Sequence, residues 1–260
     1  MRTVGVDMAA EAKGTAVAVV EWPEAASRPD EPARLAELRV GSGDEAVLAA
    51  LDGADKAALD CPLGWPEPFT EFVVAHRTGH VLPPLGVDGL AWRRTLSRRT
   101  TDHECQRLTG LVPLAVAADR IAAVAMRGAG LLGALHAAGR PVDRAGGGTV
   151  VECYPAAALK RWSLPHRSYK RTAGAPGLAR LVDALTAALP GLDVDGHEEL
   201  LRGSDDAFDA LVCALVARAA ALRQVTTPAA DQQETAAREG WIVLPTAPLP
   251  ALLPSRSSPG

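Results

Sequence analysis

Three apolar segments of this chain each end on an acidic residue, and these acids are Asp7, Asp60 and Glu152. Proline follows soon after the second and third of them, so the chain must leave a sheet directly after Asp60 and after Glu152. In open α/β sheets the carboxyl ends of the strands form the edge at which sites are built. A single acid at the end of a strand is an ordinary terminator. Three of them favour an α/β fold with a site at one edge of its sheet.

The apolar runs also predict the order of elements. Strands are predicted over 2–7, 14–22, 33–40, 56–60, 149–152 and, as a possible last strand, 241–244. Helical patterns cover 44–51, 101–108, 115–138, 156–162, 177–189 and 205–224. We therefore expect one domain over 1–245, with a helical insertion at about 65–145 that forms one wall of a cleft. The segment 246–260 is rich in proline and serine and is predicted to be a disordered tail.

Composition excludes several classes of protein. A net charge of -4 gives no broad attraction for nucleic acid or anionic membranes, so any such contact needs a local basic patch. No window approaches 18 apolar residues and the start is not a signal peptide, so we expect a cytoplasmic protein with no membrane partner. The four cysteines form no Cys-x-x-Cys pair, and His76 and His80 lack the glutamate of a zinc-protease motif. The triple glycine at 146–148 lacks the lysine of a phosphate loop.

A second group of acids begins the helix predicted over 205–224. If Ser204 or Asp205 is the N-cap, Asp206 and Asp209 lie three residues apart on one helical face. Asp205 and Asp206 have an ordinary explanation, because acids at a helix N-terminus complement the helix dipole. Asp209 lies a full turn inside the helix, where that effect has faded and aspartate is a poor helix former.

Crowded carboxylates at a half-buried edge repel one another unless a cation joins them. Oxygen ligands without a histidine or cysteine spacing favour a hard divalent ion, so Mg²⁺ or Mn²⁺ is the expected cofactor.

Basic side chains lie in two further places. The cluster 93–99 contains Arg98 and Arg99 and is the best local basic patch, although it is equally well explained as a solvated helix face. Tyr169 and Lys170 lie in a polar loop where the lysine could reach a substrate oxygen or phosphate, but an exposed lysine is usually just solvated.

The chain resembles an uncharacterised family of predicted nucleases with the ribonuclease-H-like fold, known as the domain of unknown function 429. The matching segments are Gly5-Val6-Asp7, Leu59-Asp60-Cys61-Pro62-Leu63-Gly64, Arg98-Arg99-Thr100-Thr101-Asp102, Val151-Glu152-Cys153-Tyr154-Pro155-Ala156, Ser168-Tyr169-Lys170, the acidic helix start 205–212 and Glu239-Gly240-Trp241-Ile242. Separately, Asp206-Ala207-Phe208-Asp209-Ala210-Leu211 is similar to the last-helix motif of Holliday-junction resolvases of the same fold.

The resemblance implies a mixed sheet of three antiparallel strands followed by parallel strands, flanked by helices, and phosphodiester hydrolysis assisted by two metal ions. Asp7 would bridge both ions, Asp60 and Asp209 would each hold one, and Asp206 would be a neighbouring ligand. Glu152 is a further catalytic candidate, which would orient a water molecule or a substrate group. The same resemblance moves Arg99 and Asp102 toward a substrate-binding role, together with Arg98, Tyr169 and Lys170.

Two alternatives stay open. The fold could keep its acids and serve as a non-catalytic metal-binding or nucleic-acid-binding regulatory module, because a fold does not fix a function. Sugar kinases and actin-like ATPases also open with a Gly-x-Asp strand and a hairpin, which makes an ATP phosphotransferase the less favoured alternative. The expected partner is DNA or RNA, and the sequence leaves a homodimer open.

Overall fold

The computed structural model describes residues 1–23, 31–81, 83–170 and 175–254. Within them the strands are β1 (Arg2–Asp7), β2 (Ala16–Glu21), β3 (Ala33–Val40), β4 (Lys56–Asp60), β5 (Val150–Glu152) and β6 (Leu192–Asp193). The helices are α1 (Asp44–Asp52), α2 (Glu67–Arg77), α3 (Gly89–Ser97), α4 (Thr100–Thr109), α5 (Ala122–Ala137), α6 (Pro155–Arg161), α7 (Ala175–Ala188), α8 (Glu198–Gly203), α9 (Asp205–Ala221) and α10 (Gln233–Glu239).

The strands form one mixed sheet in the order β5-β4-β1-β2-β3-β6. Strands β1, β2 and β3 are antiparallel neighbours, whereas β4 is parallel to β1 and β5 is parallel to β4. The predicted fold class is therefore confirmed: three antiparallel strands precede parallel ones, as expected for a ribonuclease-H-like fold. The two-residue strand β6, parallel to β3, was not predicted because two residues are too few to show the alternation of apolar and polar side chains that indicates a strand.

Helix α9 packs across one face of the sheet and contacts β1, β2, β3 and β4. Its close approach depends on Gly5 of β1, since a Cβ there would lie 2.0 Å from the carbonyl oxygen of Ala210 and 2.1 Å from the nitrogen of Ala214. The alanines on this side of α9 are fully buried, and together with Phe208 they form part of the larger apolar core. A second core lies on the opposite face, where Val6 and Leu59 pack with apolar residues of α1 and α5.

In the described part of the segment between β4 and β5 lie four helices, α2 to α5, in the region predicted to be a helical insertion. Helices α2 and α3 have no buried residue, whereas α4 and α5 are anchored by buried side chains. Helix α5 begins at Ala122 and not at the predicted 115. The reason is local: the carboxylate of Asp119 accepts a hydrogen bond from the backbone nitrogen of Ala115, 2.7 Å away, which stabilises a turn there.

The C-terminal segment is more ordered than its composition indicates. The predicted last strand, 241–244, forms a single parallel bridge between Ile242 and Glu152. Residues 246–254, predicted to be part of a disordered tail, are folded: Leu249 and Leu252 are buried in a short 3₁₀ helix that packs on α9. The burial of these two leucines stabilises a folded segment, although its proline content predicts disorder. The rest of the predicted tail, 255–260, lies outside the described residues.

Among the helices described, none has both the length and the apolar character needed to cross a membrane. The predicted cytoplasmic location and the homodimer stay predictions.

Candidate metal centre

Asp7, Asp60 and Asp209 converge at the carboxyl edge of the sheet. Each offers a carboxylate oxygen, and the three oxygens lie within 4.8 Å of one another. Asp7 and Asp60 are partners in the parallel register of β1 and β4, so their side chains leave the same face of the sheet. Helix α9 covers that face and places Asp209, in its second turn, beside them. Asp209 is fully buried and Asp7 is 8% exposed, whereas Asp60 keeps a partly exposed edge.

These surroundings disfavour three ionised acids in the absence of a cation. Burial raises the pKa of Asp60 to about 7, and the charge of Asp209 adds to the shift. Burial, followed by the charges of Asp60 and Asp209, also raises the pKa of Asp7. Burial raises the pKa of Asp209 as well, although Lys170 and Tyr169 act in the opposite direction. A divalent ion would relieve this repulsion, and carboxylate oxygens are the donors that Mg²⁺ and Mn²⁺ prefer. The residues present therefore fit the expected cofactor.

Tyr169 and Lys170, predicted as substrate-binding residues, both contact Asp209. The Tyr169 hydroxyl donates a hydrogen bond to Asp209 Oδ1 at 2.8 Å, and Lys170 Nζ lies 2.5 Å from Asp209 Oδ2. Burial and the nearby Asp209 charge raise the pKa of Tyr169, so the phenol stays protonated and donates. Burial alone would lower the pKa of Lys170, but Asp209 and Asp60 raise it above its ordinary value. Lys170 therefore carries its positive charge inside the group of acids.

Asp206 lies at the rim of the site. Ser204 is the N-cap of α9, as its Oγ accepts a hydrogen bond from Ala207 N at 3.1 Å, and this places Asp206 in the first turn. Its half-buried side chain lines the cleft but is not one of the three converging acids. Burial, and then the charge of Asp205, raises the pKa of Asp206. Its predicted role as a metal ligand stays a prediction.

Glu152 lines the same cleft, as does Arg99, but it is not one of the three converging acids because of the strand register. Its partner on β4 is Leu59 and not Asp60, so its side chain leaves the opposite face of the sheet. There Arg99 holds it through two hydrogen bonds, Nη2 to Oε1 at 2.6 Å and Nη1 to Oε2 at 2.8 Å. Leu63 N also donates to Glu152 Oε2, at 2.9 Å. In this structure Glu152 positions the chain that follows β4.

Arg99 and Asp102, predicted to bind substrate, belong to the same buried group. Arg99 is the N-cap of α4, and its Nη2 lies 2.9 Å from Asp102 Oδ1 while its backbone nitrogen donates to Asp102 Oδ2 at 2.9 Å. Burial would lower the pKa of Arg99, but Glu152 and Asp102 raise it, so the guanidinium stays charged. Arg99, Asp102 and Glu152 therefore form a buried ion-pair network that joins α4 to β5.

Glu239 completes this network, and sequence reasoning missed its role. Its carboxylate accepts hydrogen bonds from Glu67 N at 2.8 Å and Thr100 N at 2.7 Å, the first residues of α2 and α4. Its backbone carbonyl accepts from Arg99 Nη1 at 3.2 Å. A buried acid thus satisfies two helix N-termini at once. Its only signal in the sequence was its place in the segment Glu239-Gly240-Trp241-Ile242.

A cleft of about 610 Å³ opens above the three aspartates. Its wall includes Arg120, His166 and Arg167, which offer positive or polar groups around the acidic floor. Arg98, the remaining predicted substrate-binding residue, is partly buried and does not line this cleft.

A family model described as "Protein of unknown function (DUF429)" matches residues 5–234. The chain belongs to this family. The family match covers β1, β4 and α9, so all three converging aspartates lie within the family domain. No curated protein and no solved structure matches the chain significantly.

Proposed function

We propose that this chain is a metal-dependent nuclease that hydrolyses phosphodiester bonds of DNA or RNA with Mg²⁺ or Mn²⁺. The observation that carries the proposal is the convergence of Asp7, Asp60 and Asp209 at the floor of an open cleft. Three carboxylate oxygens within 4.8 Å of one another can share one hard cation. They come from two strands and a helix that are rigidly packed, so their spacing is preorganised for an ion.

The walls of the cleft support an anionic substrate. Arg120 and Arg167 are exposed and line the cleft, where their guanidinium groups could contact phosphate oxygens. The floor is acidic and the wall is partly basic, so a phosphate would be drawn toward the bound ion and away from bare carboxylates. These arginines supply the local positive charge that a nucleic-acid substrate needs on a protein whose net charge is -4.

The position of each side chain indicates its role in the proposed reaction. Asp7, Asp60 and Asp209 would hold the ion, which supplies a Lewis acid and a bound water of lowered pKa when present. Tyr169 fixes the rotamer of Asp209 by donating to its Oδ1. The buried ion-pair network holds the loop after β4 in place and so maintains the wall of the cleft.

A non-catalytic metal-binding module is the second candidate. One observation favours it: Glu152, predicted as a further catalytic residue, is engaged by Arg99 and Leu63. The triple glycine gives the ATP phosphotransferase no support, because its central N–H is already engaged by a side chain. The carboxylate of Asp143 accepts hydrogen bonds from the backbone nitrogens of Gly147 and Ala145.

The test is cleavage of labelled single-stranded, duplex and four-way-junction DNA and RNA, with Mn²⁺ or Mg²⁺ and with EDTA. We expect metal-dependent cleavage by the wild type and its loss in Asp209→Asn. The matched control is Asp231→Asn, the same change at an exposed residue that does not line the cleft. Equal cleavage by Asp209→Asn would refute the proposed site. Metal binding without cleavage of any substrate would favour the non-catalytic module.

A further inference from the structure

Lys170 is held inside the group of aspartates although it comes from a surface loop. Its Nζ lies 2.5 Å from Asp209 Oδ2, and its charge also acts on Asp60 and Asp7. The loop is anchored by its neighbour Tyr169, which is 2% exposed and packs edge-to-face on Phe208 with ring centroids 6.0 Å apart. The ammonium is therefore delivered to the acids by a fixed part of the chain.

The backbone on the other side of this loop is also closely packed. A Cβ on Gly177 of α7 would lie 2.7 Å from the carbonyl oxygen of Ser168, so α7 lies directly against the segment that carries Lys170. Half of the lysine side chain, 52%, remains exposed along the cleft. The ammonium thus contacts Asp209, and the exposed part of the side chain borders the cleft in which a substrate would lie.

The charges set the number of cations that the site can accept. When ionised, the three converging aspartates carry a charge of about -3, and the ammonium reduces it to about -2, which one divalent ion neutralises; Asp206 lies at the rim, outside this group. A second divalent ion would bring the sum to about +2 and would have to bind beside the ammonium, at the Asp209 oxygen that Lys170 already contacts.

We propose that Lys170 occupies the second cation position of this site, so that the chain binds one divalent ion and uses the ammonium in place of another. The proposal rests on the proposed function for the first ion and replaces the two-ion arrangement that the family resemblance implies. The single ion would be held by Asp7 and Asp60 with Asp209, while Lys170 neutralises the remaining charge of Asp209. Lys170 also borders the cleft, where it can contact a phosphate oxygen.

The test is the stoichiometry of Mn²⁺ binding to the metal-free, full-length chain, measured by isothermal titration calorimetry and by the electron paramagnetic resonance signal of free Mn²⁺. The variants are Lys170→Met, which removes the charge, and Lys170→Arg, which keeps it. The matched control is Lys160→Met, the same change on α6 at a residue that does not line the cleft. Circular dichroism and melting temperature verify that each protein is folded.

We expect one Mn²⁺ per chain in the wild type, in Lys170→Arg and in Lys160→Met. Lys170→Met should bind two, with the first ion bound roughly tenfold or more tightly than in the wild type, because a neighbouring positive charge has been removed. Two ions in the wild type would overturn the proposal and leave the proposed function standing. One ion in Lys170→Met, with unchanged affinity, would do the same.

Two other results of the same experiment would refute the proposed function as well. No Mn²⁺ on the wild type or on Lys170→Met would refute the metal site itself, and with it both proposals. An ion bound by Lys170→Met and not by the wild type would show that the ammonium fills the whole site, which also refutes both.

Discussion

The stability of the metal-free protein should fall as pH rises through neutrality, and Asp60 should cause much of the change. The pKa of Asp60 is about 7 in the folded protein, against 3.8 as its ordinary value. The folded state therefore holds a proton that the unfolded chain has lost. Stability from this proton is fully present below about pH 4 and is lost as pH rises through about 7.

The size of the effect follows from the pKa shift. One unit corresponds to about 1.4 kcal/mol, so the full shift of Asp60 is worth roughly 4 kcal/mol, of which about 3 kcal/mol is lost between pH 5 and pH 8. Asp60 has a partly exposed edge, and water there screens its interactions. We therefore expect about 2 kcal/mol between pH 5 and pH 8 to depend on this residue.

The assay is urea unfolding in EDTA at pH 5, 6, 7 and 8, comparing the wild type with Asp60→Asn. The free energy of unfolding of the wild type should fall with pH more steeply than that of the variant, and Asp231→Asn should behave as the wild type. Saturating Mn²⁺ should reverse the trend in the wild type, because metal binding requires ionised carboxylates. Equal pH dependence in wild type and Asp60→Asn, or greater wild-type stability at pH 8 than at pH 5 in EDTA, would refute the reasoning.

Three further outcomes are expected. Gly5→Ala should cost more than about 3 kcal/mol in urea unfolding, because the new Cβ meets backbone of α9, whereas Gly133→Ala, with no atom within 4 Å of its Cβ, should be neutral or slightly stabilising. Glu152→Gln should lower the free energy of unfolding by about 3 kcal/mol, since Arg99 stays buried with one carboxylate fewer, yet leave the Mn²⁺ stoichiometry unchanged; a changed stoichiometry would show that Glu152 binds metal. Tyr169→Phe removes the hydrogen bond to the buried aspartate of α9, and calorimetry should show weaker Mn²⁺ binding, by roughly tenfold; unchanged affinity would argue against that positioning role.

Short-range patterns in the sequence predicted most of the strands and the strand-end positions of Asp7 and Asp60, whereas the ribonuclease-H-like arrangement and the grouping of Asp209 with them were implied by the family resemblance. Asp7 and Asp60 end runs whose apolar character alone predicts strands, and parallel strands bring their carboxyl ends to one edge. Asp209 could be placed because its face of α9 follows from its helical spacing relative to the N-cap Ser204.

Glu152 shows why the same reasoning stops at the strand register. It ends an apolar strand as Asp60 does, but the pairing of β5 with β4 sets it beside Leu59. A displacement of one residue along a strand moves a side chain to the other face, and nothing in the sequence specifies that displacement. Glu239 and Leu249 were missed for a related reason, since their burial depends on helices far away in the chain.

The placement of Glu152 also explains how the edge of the sheet tolerates so many acids. The charge of Glu152 raises the pKa of Asp60, so the two faces of the sheet are electrostatically connected. Arg99 offsets much of the charge of Glu152 through two hydrogen bonds, although it also pairs with Asp102. The affinity for cations therefore depends mainly on the three aspartates, Lys170 and Asp206 at the rim of the cleft. Among the converging groups alone, the three aspartates and Lys170 leave a charge of about -2 when ionised, which is the charge that a single divalent ion neutralises.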